Sequence, residues 1–365
     1  MAQPDRLESI RFEGALSVRR MGLGLRPLNI LIGANGAGKS NLLKLFRFVG
    51  KLVHQDLQLH VRQIGGADAV LHFGRKVSNC LSFTLRYSKA SYICKLVPTQ
   101  KGELVFEGER IDIGSIGSPV GVRRLATAGS NESELRWSWR SHRDWRYRIY
   151  NHIDSWRQYH FDDTSEAAPV KQTHRGSAAA PLESDAANLA AVLYHLQHHR
   201  LDDYRRIVDT VRRVFPPFHD FELKPELGTT DLIRLRWRHR GLDAPFDVSQ
   251  LSDGTLRFIS LATLLLHPVL PALIILDEPE LGLHPYAIQL LAGMMRSAAA
   301  RSQIVVATQS ATLASQFQPE DLIIVETKDD ATQFRRLAAA NLEGWLEDYR
   351  LGDLWEKNVL GGAPV

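Results

Sequence analysis

Gly33-Ala34-Asn35-Gly36-Ala37-Gly38-Lys39-Ser40 sets glycine, lysine and hydroxyl at the fixed intervals of a loop that cradles phosphate. The residues around it suit the task. Leu28-Asn29-Ile30-Leu31-Ile32 reads as a short buried strand, and Asn41 to Phe48 as the opening of a helix. A strand that turns through glycines into a helix start aims backbone N–H groups at one point, where the helix dipole also favours an anion. Lys39 is expected to reach the terminal phosphates of a nucleoside triphosphate, and Ser40 to hold Mg²⁺. The expected nucleotide-binding set is therefore Gly33, Ala34, Asn35, Gly36, Ala37, Gly38, Lys39, Ser40 and Asn41.

A second group of chemically capable residues follows Leu273-Ile274-Ile275-Leu276, an aliphatic run that ends in Asp277-Glu278. Such a run reads as a parallel-sheet strand buried on both faces. Acids at its C-terminal end fall where open α/β sheets bind ligands. Asp277 is expected to bind Mg²⁺, and Glu278 to orient the attacking water or accept its proton. Upstream, Leu251-Ser252-Asp253-Gly254-Thr255-Leu256-Arg257 reads as a helix start with Ser252 as its N-cap, which is also an anion site.

Together these blocks resemble ATPases of the ABC type, and more closely their RecF/SMC-like soluble branch. Within that branch the chain is similar to the bacterial "predicted AAA-family ATPase" group, related to the ATPase part of the overcoming-lysogenization-defect nucleases. The matching residues are Leu28 to Leu42, Leu251 to Arg257, Leu273 to Pro285, Val305 to Ser310 and, more weakly, Leu342 to Glu347. The resemblance implies a mixed α/β P-loop NTPase fold with an ABC-type head, an antiparallel β subdomain and a short helical insertion arm. It also implies a homodimer with composite sites. Ser252 and the Gly254 N–H of one chain would contact the γ-phosphate held at Lys39 and Ser40 of the other. Leu281-Gly282-Leu283-His284 would link the two sites, although His284 before Pro285 also suits a plain helix start.

Val305-Val306-Ala307-Thr308-Gln309-Ser310 matches the family's switch segment, with glutamine where relatives usually carry histidine. An amide hydrogen-bonds but carries neither proton nor charge, so turnover is expected to be slow. For the family's glutamine loop, Gln63 competes with a simple helix ending at Gly65-Gly66.

The elements that must position these residues are legible in outline. Opening strands fill 7–32, and alternation at Leu81, Phe83, Leu85 and Tyr87, then Tyr92, Cys94 and Leu96, then Leu104 and Phe106, predicts antiparallel strands. Asp162 to Asp185 reads as a loop, Ala186 to His199 and Leu201 to Val214 as helices, and Leu232 to Trp237 as a strand. The expected division is an ATPase lobe at 1–140, a helical arm at 141–220 and a second lobe at 221–365.

At 365 residues, 44% hydrophobic and 24% charged, the chain is globular and excludes a disordered class. Cys80 and Cys94 show no metal-ligand spacing, which points to a reducing compartment. His195 and His199 lie one turn apart but lack further ligands nearby, so a solvated helix end is the favoured reading. Phe258 to Leu276 has membrane-spanning length, yet Pro268 and Pro271 argue for helix, turn and strand. Met1 to Asp5 begins no signal peptide, and a cytoplasmic protein is expected.

A net charge of +4 is compatible with nucleic acid without implying it. Arg136 to Arg157 interleaves arginines with Trp137, Trp139, Trp145, Tyr147, Tyr150 and Trp156. These aromatics suit base stacking or a packed core, with Leu135, Trp137 and Trp139 alternating and Trp145, Ile149, Ile153 and Trp156 at helical spacing. The resemblance implies a dimeric ATP switch acting on DNA, directly or through a partner, in repair or anti-phage defence. The alternative is a regulatory module gripping a separately encoded nuclease or toxin, and a transporter subunit is disfavoured by the insertion between the motifs.

Overall fold

The computed structural model describes residues 6–115, 118–136, 144–175, 181–225, 232–342 and 344–363. They form a mixed α/β fold in two units, one of Met1–Trp156 with Gln318–Val365 and one of Arg157–Phe317.

The first unit carries a six-stranded antiparallel sheet in the order Val18–Gly24, Ser9–Ala15, Leu81–Tyr87, Ala90–Pro98, Leu104–Ser115 and Ser118–Arg124. The period-2 pattern decides its faces: Leu81, Phe83, Leu85 and Tyr87 are buried while the residues between them are half-buried. Phe83 sits opposite Phe12 on one side and Cys94 on the other. Its ring lies 5.7 Å from both Phe12 and Tyr92. The same unit pairs Leu28–Ile32 in parallel with Leu322–Lys328, which turns back antiparallel into Ala331–Arg336.

Every residue of Leu28–Ile32 is buried, as the continuous apolar run requires. Its polar member, Asn29, is fully buried yet satisfied: it donates to Arg26 O at 2.7 Å and accepts from the Arg336 guanidinium at 2.6 Å. The helix Lys39–Val53 follows, packed against Trp145–Asp154. Phe46 meets Trp156 edge-on at 5.4 Å. Ile149, Ile153 and Trp156 are buried in the core, whereas Trp145, Tyr147 and Tyr150 are half-buried and the Arg148 guanidinium lies 4.2 Å over the Trp145 ring. Residues 137–143 of the arginine-aromatic stretch, with Trp137 and Trp139, lie outside the described residues.

The second unit is built on Arg157–Tyr159, Leu273–Asp277 and Gln303–Thr308, three parallel strands with Leu273–Asp277 in the middle. Helices Leu189–His199 and Leu201–Val214 are joined only through Arg200, and the second packs on Asp253–Leu266. Leu232 to Trp237 is not one strand. Leu232–Ile233 pairs with His174–Arg175, whereas Arg236–His239 joins a separate antiparallel sheet between Phe218–Glu222 and Pro245–Asp247. The break falls at Arg234, whose guanidinium is held 2.7 Å from Asp247.

Phe258 to Leu276 divides into the end of helix Asp253–Leu266, a turn and a strand. Among the described residues no helix is long and apolar enough to cross a membrane.

Candidate functional site

In the first unit, Leu28–Ile32 ends at Gly33 against the neighbouring strand, where a Cβ would overlap the Val325 carbonyl oxygen. Gly36 and Gly38 take left-handed φ values of 78° and 105°, which reverse the chain into the helix that begins at Lys39. Gly38 is doubly constrained, since a side chain there would also strike Thr332. As N-cap it supplies no side-chain hydrogen bond, and the first helical turn holds no acid. A positive helix end with no N-cap side-chain bond and no acid in its first turn offers the donor chemistry a polyphosphate needs. The loop fits that ligand.

Lys39 is buried, and its ammonium donates to Gly33 O at 2.6 Å and Ala34 O at 2.9 Å, so its charge lies over the loop. Asn35, Gly36 and Ser40 are exposed and Ala37 is buried. The Ala34 N–H is used internally, donating to Gly362 O at 2.8 Å. Behind the loop, Asn41 Nδ2 donates to Ser17 Oγ at 2.6 Å, and Ser17 shares a 2.6 Å hydrogen bond with Thr332. Ser17, Thr332 and Gly362 form no motif with the loop in the sequence. Only the fold shows that they buttress it.

In the second unit, Asp277 ends its strand opposite Ala307. Glu278 follows with a left-handed φ of 44°, fixed by its N–H donating to Ala307 O at 2.8 Å. A non-glycine residue in this region is uncommon, and it marks a sharp bend at the end of the strand. The Glu278 carboxylate accepts a hydrogen bond from the Gln309 side-chain amide. Two residues on, the buried Glu280 accepts from the Thr308 hydroxyl, and burial pushes its carboxyl up from the ordinary value. Sequence reasoning did not single out Glu280. Its signal was only its place in Glu278-Pro279-Glu280.

Ser252 is the N-cap of Asp253–Leu266, accepting from the Thr255 N–H at 3.2 Å. A Cβ on Gly254 would overlap the Gly282 carbonyl oxygen, and Arg257 donates to Leu281 O. The helix start therefore lies directly on the loop that follows Asp277-Glu278. His284 is the N-cap of Pro285–Ala299 and accepts from the Tyr286 N–H, so it carries a structural role. Gln63 ends the helix Leu57–Gln63, followed by Gly65 and Gly66 at φ 103° and 88°. His195 and His199 bring their rings to 4.7 Å. The structure thus gathers Gly33 to Asn41 in one unit, and Ser252, Gly254, Asp277, Glu278 and Gln309 in the other.

Comparison with solved structures finds the fold of SMC ATPase heads. The chain is similar to "SmcHead bound to the C-winged helix domain of ScpA" with a TM-score of 0.60 and 13% identity, covering 94% of this chain and 99% of that one. It is also similar to an "Smc head domain with an extended coiled coil bound to the C-terminal domain of ScpA derived from Pyrococcus furiosus". There the TM-score is 0.56 at 12% identity, again covering 94% of this chain and 99% of that one. No curated protein sequence matches. A family match covers residues 28–79 and 80–315, under the description "AAA domain, putative AbiEii toxin, Type IV TA system". The chain belongs to this AAA-domain family, and its fold is that of SMC heads.

Proposed function

We propose that the chain binds ATP, hydrolyses it slowly and serves as a nucleotide-gated dimeric switch on DNA or on a DNA-acting partner. The observation that carries this reading is the phosphate loop itself: left-handed Gly36 and Gly38 lead into an uncapped, acid-free helix start under Lys39. Lys39 and the loop N–H groups bind the phosphates. Ser40 and Asp277 hold Mg²⁺, which when bound shields phosphate charge. Glu278 orients the attacking water, with Gln309 hydrogen-bonded to its carboxylate. Ser252 and Gly254 complete the site of a second copy, so that the triphosphate draws two chains together and its loss lets them part.

The DNA reading, in repair or anti-phage defence, rests on the resemblance to RecF/SMC-like ATPases, and the net charge of +4 is compatible with it. A second reading has its own observation. Both SMC heads described above are bound to a domain of another protein, ScpA, and the family description names a toxin system. Here the region 141–220 acts as an arm that grips a separately encoded nuclease or toxin.

The test is ATP hydrolysis by the wild type, Lys39→Ala and Glu278→Gln, with and without duplex DNA across a salt series. Slow hydrolysis lost in both variants, and stimulated by DNA with a falling salt dependence, is the expected result. Hydrolysis that survives Lys39→Ala overturns the ATPase assignment. Hydrolysis indifferent to DNA, with no retention on it at low salt, rejects direct DNA action and favours the partner reading.

A further inference from the structure

Beside the phosphate loop the first unit holds a cavity of about 770 Å³, lined among others by Ser17, Asn41, Phe73, Arg75 and Lys76. Its volume is that of small-molecule sites, about 300–1,000 Å³. Asn41, the residue after Ser40 in the phosphate-loop motif, lines this cavity.

Phe73 is the unusual member. It leaves 59% of its surface exposed and adopts a left-handed φ of 54°, which a bulky aromatic rarely takes. Neighbouring contacts hold it there. The His72 N–H donates to Gly14 O at 3.1 Å, and the His72 ring meets Leu16 O at 2.9 Å. The Gly74 N–H donates to Leu71 O at 3.1 Å, and the Arg75 N–H to Asp68 Oδ1 at 2.8 Å. Backbone strain sustained by its surroundings marks functional positions, and here its product is an aromatic face presented to solvent. Charge agrees with this. The one acid among the lining residues, Asp68, is paired with Arg75 at 2.9 Å, leaving Lys76 as a net positive charge in the lining.

The geometry points to Phe73 as the platform on which the base of the bound nucleoside triphosphate stacks. This inference rests on the phosphate-loop reading above. It assigns the base-binding half of that ligand, which none of the sequence motifs locates.

Calorimetric titration of the full chain with ATP and, separately, with inorganic tripolyphosphate tests it. Phe73→Ala is expected to weaken ATP about tenfold, the size of one base–aromatic stack, and to leave tripolyphosphate within about twofold. Phe73→Trp retains ATP affinity, and its added indole fluorescence is quenched by ATP but not by tripolyphosphate. Unchanged ATP affinity in Phe73→Ala, alongside its loss in Lys39→Ala, overturns the base platform and leaves the phosphate loop standing. Equal loss of both ligands in Phe73→Ala overturns it too, since the residue would then act through the fold. If the wild type binds neither ligand, or binds both regardless of Lys39→Ala, the phosphate reading fails and this inference with it.

Discussion

Gln309 donates its side-chain amide to the Glu278 carboxylate, joining the end of one parallel strand to the bend after the next. The amide fixes the direction of the carboxylate but has no proton to exchange. Gln309→His introduces a group that titrates near neutrality, and the steady-state rate of ATP hydrolysis is expected to rise about tenfold or more. An unchanged rate shows that turnover is not limited here.

Glu280 and Thr308 form the buried counterpart of that pair. Glu280→Ala leaves the fully buried Thr308 hydroxyl without its acceptor, at a cost of about 1–3 kcal/mol. Chemical denaturation is expected to show a lower midpoint for Glu280→Ala and a smaller loss for Glu280→Gln, which retains a carbonyl oxygen. Equal stability of all three proteins contradicts the role given to this contact.

Gly254 is shaped by its neighbour as well as by any ligand. Because a Cβ there would overlap the Gly282 carbonyl oxygen, Gly254→Ala must push the helix start from the loop. A cost of about 1–3 kcal/mol is expected for such overpacking. Thermal melting checks it, and a melting temperature equal to that of the wild type contradicts the close approach.

His152 supplies a pH dependence. Its Nδ1 accepts from the Trp156 indole N–H at 3.0 Å and faces the Tyr87 hydroxyl at 3.2 Å, and burial lowers its pKa to about 4. A folded pKa below the unfolded value of 6.5 favours the neutral ring, so its contribution is complete above pH 6.5 and is lost as pH falls towards 4. The contribution is on the order of 3 kcal/mol. Urea midpoints measured across this window are expected to fall with pH in the wild type and less steeply in His152→Gln. Parallel profiles contradict the assignment.

The elements carrying the chemistry were legible because their signals are local. Leu28–Ile32 and Leu273–Asp277 announce themselves as aliphatic runs too apolar for a one-faced strand. Ser252 and His284 are readable as caps because capping acts within one turn. Contacts between distant, ordinary residues were not legible. Ser17 and Thr332 hydrogen-bond behind the phosphate loop from positions 315 residues apart, and neither type is unusual alone. The Leu232 to Trp237 alternation looked continuous because periodicity does not register a change of sheet, which here occurs at Arg234. Phe73 escaped notice because its backbone angle and exposure, not its residue type, set it apart.

In the proposed switch, ATP holds two copies together through the loop at Lys39 and the helix start at Ser252. Light scattering of Glu278→Gln with ATP and Mg²⁺ measures this directly. A mass of twice 41.1 kDa with ATP, reverting to 41.1 kDa when Ser252→Arg is added, is the expected result. A 41.1 kDa species under saturating ATP, or a dimer indifferent to both nucleotide and Ser252→Arg, contradicts it.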